Sequence, residues 1–509
     1  MRRLPFHGPV TWWDDADVTD AAIDALRTHL AEISDLGHAA MLLGWDQQTH
    51  MPPKGALGRG QAGGTLERLA HERTADPVLA ELLDAALVAG EDPGLVRAVR
   101  EDHERAARVP GALVAEMAEV AAEAQGVWEA ARAADDFASF APLLRRHVDL
   151  CRRYAACFPE VEHPYDALMQ RFEPGATTRD VRSAFATLRE GLVPLIAAIA
   201  ERPDPGDLAG PFPTADQRTL ALEIAREMGY DDAAWRIDEA AHPFMANMGR
   251  QDVRITTKED ESTLAIGLFG VLHETGHGLY EAGIAPEWDR TTVGTGTSLG
   301  VHESQSRLWE NMVGRGRPLW SRWLPRAQQL FPGPLRGLEV DDVLRRINAV
   351  RPSLIRVDAD EATYCLHVLL RFELEVDLFE GRLEVDDLPA AWNDRMREYL
   401  GVEVPSDADG VLQDVHWAHG VFGYFPTYAL GTMIAAQLWE AAHVAIPDLD
   451  RRIEGGDLAT LREWLREHVH RHGRTRTGDE ILHAVTGGGL DPAPLLRYLR
   501  DKYGALYDL

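Results

Sequence analysis

The run STLAIGLFGVLHETGHGLYE at 262–281 decides how the chain is read. Leu264, Leu268, Val271, Leu272 and Leu279 recur at helical spacing, so a buried or half-buried α-helix is expected. His273 and His277, four apart, lie one above the other on a helix face. Neutral imidazoles suit Zn2+, and two on one rigid element offer it a fixed geometry. Glu274 sits beside the first and can reach a water on such an ion without ligating it. This HExxH pattern is the zincin signature. With 20 histidines in 509 residues, chance yields roughly 0.06 such matches. The ordinary alternative is a pair of core histidines satisfied by neighbours.

A catalytic zinc needs a third protein ligand and an open position. Glu281 continues the same ladder, but three side chains strung along one helix converge poorly on one ion. Glu303 is better placed: it follows a Gly/Thr-rich loop (291–300) and opens a second segment with Leu308, Trp309 and Met312 on an apolar face. Glu287 and Glu310 remain as other candidates.

A chain of 509 residues can bury a large core, and length alone would allow two or three domains. With 45% apolar and 26% charged residues it reads as a soluble globular protein. A net charge of −30 disfavours nucleic acid and anionic membranes as partners. Three cysteines, Cys151, Cys157 and Cys365, form no disulfide framework, which fits a reducing compartment. The N-terminal MRRLPFHGP has no apolar run, and no stretch reads as a membrane span. A cytoplasmic protein is expected.

Helical periodicity dominates: 20–44, several segments across 65–135, then 138–158. Breaks are expected at Pro52-Pro53, near Asp92-Pro93 and at Pro110. Thr177 with Asp180 resembles a capping box opening another helix, which Pro194 should kink or end. Residues 202–213 read as a surface loop. Only DVRITT (252–257) argues for a strand. As an edge strand it could pair with an extended peptide. The Gly-rich loops (Gly294, Gly296, Gly300; Gly487–Gly489) lack a P-loop frame and read as flexible connections and caps. The expected fold is mainly α: a single large helical zincin-type domain over 1–509, with a small β element before the HExxH helix.

Several further motifs occur in order: LGWDQQTHMP (43–52), HPF (242–244), DVRIT (252–256), HETGH (273–277), HESQ (302–305), IRVDADE (355–361), LHVLLRFELE (366–375), GVLQDVHW (410–417) and GYFPTY (423–428). Together they resemble the M32, or carboxypeptidase Taq, family of metallocarboxypeptidases over nearly the whole chain. His50, Ala362 and Cys365 depart from the pattern outside the metal positions. The resemblance implies a helical fold with a deep groove and the metal at its floor, usually as a homodimer. It implies removal of single residues from peptides with a free C-terminus, with broad preference. It implies His273, His277 and Glu303 as ligands and Glu274 as general base. Zinc is the implied metal, one per chain, with Co2+ as a possible replacement.

Such chemistry needs a donor for the developing oxyanion besides the metal. Tyr424 is the first choice and His416 the second; the ordinary alternative holds both in an aromatic-rich core. A free carboxylate is best held by an arginine fork. Arg356 is the candidate and Arg254 the runner-up. Asp360 and Glu361 could hold Arg356 or support the histidines.

Overall fold

In a computed structural model, which describes residues 15–509, helices dominate. The N-terminal stretch 1–9 read above lies outside the described residues. The first helices are α1 (Asp15–Thr49), α2 (Ala56–Thr74), α3 (Pro77–Val88), α4 (Pro93–Arg108), α5 (Gly111–Ala134) and α6 (Phe137–Ala155). They begin and end where the prolines demand: Asp76 and Asp92 cap α3 and α4, each with proline in the first turn. A short α7 (Pro164–Met169) leads to α8 (Thr178–Ala200) and α9 (Thr214–Met228), separated by the expected loop.

The Thr177 hydroxyl accepts the Asp180 N–H and donates to the Asp180 carboxylate, so it is a cap without the reciprocal backbone bond of a capping box. Pro194 does not end α8, which runs on to Ala200. Buried Leu188, Leu192, Ile196 and Ile199 hold it on the core, which offsets the missing amide bond. By length and composition α8 could cross a bilayer, contrary to the expectation that no stretch could. Its apolar face is instead buried among the protein's own side chains.

Three short strands follow: β1 (Trp235–Glu239), β2 (Met245–Asn247) and β3 (Val253–Thr257). Their order is β1-β3-β2, with β1 parallel and β2 antiparallel to β3. This corrects the expected edge strand: β3 is central, and both its hydrogen-bonding sides are taken. The sheet packs on α10 (Ala265–Gly283), where Trp235 and Val253 crowd the α-carbon of Gly278.

Next come α11 (Leu299–Arg307), a π-helical turn at Leu308–Val313, α12 (Arg317–Leu330), α13 (Val340–Ile347), α14 (Tyr364–Glu380) and α15 (Leu388–Leu400). Residues 401–425 contain neither helix nor strand. The C-terminal part is α16 (Pro426–Ala445), α17 (Leu449–Glu454), α18 (Ala459–His468), α19 (Gly478–Thr486) and α20 (Ala493–Tyr507). One hydrophobic core joins α5 through α20. A second, smaller one lies under α1, α3 and α4 and includes Trp288 and Val293.

Candidate metal centre

The apolar stripe of α10 is fully used: Leu264, Leu268, Val271 and Leu272 are buried. Burying each such side chain contributes roughly 1.5–3 kcal/mol, which fixes the rotation of the helix. That rotation puts His273 and His277 together on one side. Between them lies Gly276, where a β-carbon would sit 2.7 Å from the Gln305 carbonyl and 2.8 Å from the Ser306 α-carbon. Only glycine lets α10 and α11 approach this closely, and the approach brings Glu303 to the histidines.

The ligand atoms of His273, His277 and Glu303 lie within 4.8 Å of one another. Glu303 Oε2 is 3.7 Å from His273 Nε2 and 3.5 Å from His277 Nε2. Tetrahedral ligands on bonds of about 2.1 Å stand about 3.4 Å apart. Two imidazoles and a carboxylate at this separation therefore fit a divalent ion such as zinc.

Each candidate ligand is held from behind. His273 Nδ1 meets Glu310 Oε2 at 2.9 Å. Arg307 donates to Glu303 Oε1 at 2.7 Å and to Glu310 Oε2 at 3.3 Å. This leaves Glu303 Oε2 turned toward the histidines. His277 Nδ1 meets His302 Nδ1 at 2.6 Å, and His302 Nε2 meets Glu281 Oε1 at 2.9 Å. Glu281 also accepts from Thr295, Gly296 and Asn247. Burial opposes its charge, but these donors and His302 hold its carboxyl below the usual range. An ionised Glu281 can only accept, so His302 donates from Nε2, and in its neutral form accepts at Nδ1. His277 therefore donates from Nδ1 and keeps the Nε2 lone pair for an ion.

Glu281 thus backs His302 and lies outside the cluster of candidate ligands, and Glu310 hydrogen-bonds His273. Glu287 is exposed outside the centre. The Gly-rich loop 291–300 is not a flexible connection. Its Thr295 and Gly296 anchor Glu281, and Gly300 donates to the buried Glu173. Gly487, by contrast, caps α19 as expected.

Glu274 is buried beside the triad. Burial, with the Glu303 and Glu310 charges, pushes its carboxyl up to about 7. Burial disfavours charge on both imidazoles. At His273 the surrounding Glu303, Glu310 and Glu274 outweigh it and raise the ring to about 8, whereas His277 falls to about 3. The carboxylates thus draw positive charge to this point.

Tyr424, Tyr428 and Tyr364 all feel the Glu303 charge. The His416 ring lies 5.4 Å from that of Tyr424, centroid to centroid and tilted by 51°, and its Nε2 is 3.4 Å from the Tyr428 hydroxyl. Its buried Nδ1 has no hydrogen-bond partner. Burial keeps the ring neutral, down to about 4.

Arg356 is buried and donates to Asp414 Oδ1 at 2.8 Å and to the Tyr364 hydroxyl at 3.2 Å. Arg371 holds the other Asp414 oxygen at 2.7 Å. Two guanidiniums on one carboxylate leave a buried surplus of positive charge. Asp360 caps its own turn and Glu361 pairs with Lys502. Neither touches Arg356 or the histidines, so that expectation is corrected. Arg254 is not brought into this group. Val253 faces α10, so the alternating Arg254 faces away, pairing with Asp252 and stacking 4.3 Å over Trp45. His302, Arg307, Arg371 and Asp414 escaped the sequence reading. Arg307 could have been found as the i+4 partner of Glu303; Asp414 carried no such signal.

A family model for the carboxypeptidase Taq (M32) metallopeptidases matches residues 25–503. Thermostable carboxypeptidase 1 of Thermus thermophilus is 42% identical, over 96% of this chain and 99% of that protein. The crystal structure of an M32 carboxypeptidase from Deinococcus radiodurans superposes with a TM-score of 0.94 at 40% identity, covering 96% of this chain and all of the other. The Pyrococcus furiosus carboxypeptidase structure described as Apo-Mg superposes with a TM-score of 0.91 at 35% identity, over 95% and 99% of the two chains. Matched over residues 25–503, the chain belongs to the carboxypeptidase Taq (M32) metallopeptidase family, whose members are peptide hydrolases.

Proposed function

We propose that this protein is a zinc-dependent carboxypeptidase that releases single residues from peptide C-termini with broad preference, and that it works as a homodimer. The observation carrying the reading is the His273–His277–Glu303 triad with Glu274 buried beside it. Zinc, or Co2+ in its place, suits two imidazoles and one carboxylate better than magnesium, which prefers octahedral oxygen. Such an ion would polarise the scissile carbonyl and acidify a water in the open position.

The residues then divide the work. Glu274, buried beside the triad, is the base: it takes the water proton and delivers it to the leaving amine. Tyr424 donates to the oxygen that becomes negative, with neutral His416 beside it. Arg356 holds the substrate carboxylate through the donors that Asp414 and Tyr364 leave free, helped by the surplus charge of Arg371. Arg254, on the far face of the sheet, takes no part.

The test is hydrolysis of one blocked dipeptide in free and C-terminally amidated form. Cleavage of the free acid alone supports the reading. Equal cleavage of both sinks the carboxylate anchor. An Arg356→Ala variant as efficient as wild type on free-carboxyl peptides would sink Arg356 itself.

A further inference from the structure

The residues flanking His416 and Tyr424 converge on one carboxylate. Glu375, on α14, is fully buried. Its Oε1 accepts the Trp417 indole N–H at 2.7 Å. Its Oε2 accepts the Gly423 backbone N–H at 3.0 Å and the Tyr165 hydroxyl at 2.6 Å. Trp417 directly follows His416, and Gly423 directly precedes Tyr424. Gly423 has φ +81, and a β-carbon there would lie 2.6 Å from the Met169 nitrogen. Only glycine can turn its N–H toward Glu375 at this point.

One turn earlier on α14, Arg371 holds Asp414 and Gln413, just before His416. The loop is therefore gripped on both sides of its two reactive side chains by one helix. Residues 410–425 have no regular backbone ladder, only turn bonds such as the Val421 N–H to the His416 carbonyl at 2.9 Å, so side-chain bonds from outside supplement the turns in setting their course. Three donors on two oxygens suit a carboxylate; an amide would turn an N–H toward at least one of them.

We propose that Glu375 is a positioning residue for the reaction: by fixing Trp417 and Gly423 it sets the imidazole of His416 and the phenol of Tyr424 against the metal triad. This rests on the reading of Tyr424 as oxyanion donor.

The test is a double-mutant cycle of Glu375→Gln and Tyr424→Phe on a blocked dipeptide, with metal content measured for each protein. Glu375→Gln is expected to lower kcat about 10–100-fold through displacement of the donor by a fraction of an ångström to an ångström. KM should stay within about 2-fold and metal stoichiometry unchanged. In the double variant the effect should vanish into that of Tyr424→Phe, with about 3-fold or less added. Fully additive losses, or an unchanged kcat for Glu375→Gln, overturn the proposal while leaving Tyr424 in its role. If Tyr424→Phe alone leaves kcat unchanged, the oxyanion reading falls and takes this positioning role with it. Should Glu375→Gln fail to fold, Trp417→Phe, which removes the donor beside His416 together with part of a buried ring, decides by the same non-additivity.

Discussion

The metal triad hangs on two regular helices, whereas the groups around Tyr424 hang on a stretch without regular structure. In α10 and α11 the backbone satisfies itself, and each functional side chain needs only one or two partners: Glu310 for His273, His302 for His277, Arg307 for Glu303. In 410–425 backbone turn bonds are supplemented from outside. Glu375 and His147 bond its backbone and Arg371 its Gln413 side chain, from two other helices. The difference teaches where precision resides. The metal half draws it from helix packing at Gly276, and the loop half from buried polar bonds between segments far apart in sequence.

The comparison breaks first, and most strongly, at Glu274. Glu274→Gln should cut kcat by about 10³-fold or more while the ion stays bound, because the base is not a ligand. Turnover near wild type would remove the base from the account. Next is Asp414, the carboxylate between two buried guanidiniums. Asp414→Asn should cost about 3–5 kcal/mol in urea unfolding, since it leaves buried charge uncompensated. A loss under about 1 kcal/mol would show that the loop half is not held this way.

His302→Phe should weaken metal affinity about 10–100-fold by releasing His277 Nδ1, with little change in unfolding midpoint. Unaltered affinity in a chelator competition would deny the Glu281–His302–His277 chain its role.

Acid should loosen the loop half through His147, which binds the Ala418 carbonyl. Burial holds its ring down to about 4 from the ordinary 6.5. The unfolded chain therefore takes up the proton first, and stability is lost as pH falls from 6.5 toward 4. Melting scans at pH 7 and pH 5 should show a smaller drop for His147→Asn than for wild type. The smallest effect is expected at Arg254. Arg254→Met should leave kcat and KM within about 2-fold, and a large rise in KM would mean that the sheet's outer face meets the substrate.

The same comparison explains how much could be read in advance. His273 and His277 were legible because they sit at helical spacing within one short stretch, and an α-helical apolar stripe set their direction. Glu303 followed from a second stripe nearby. The strands β1 and β2 were not legible, being five and three residues long without clear alternation. Their absence from the reading also misplaced β3 at an edge. The bonds of Glu375 and Asp414 span 42 to 58 residues or more, and no local period encodes a partner at that distance. The family motifs marked the right segments there but not which side chain holds which.

The central claim is a divalent ion held by three side chains from two helices. Anomalous diffraction at the zinc edge, on crystals of hydrolytically active protein, tests it most directly. The account predicts one peak per chain, about 2.0–2.2 Å from His273 Nε2, His277 Nε2 and Glu303 Oε2. A peak elsewhere, or none after loading with zinc, would contradict it.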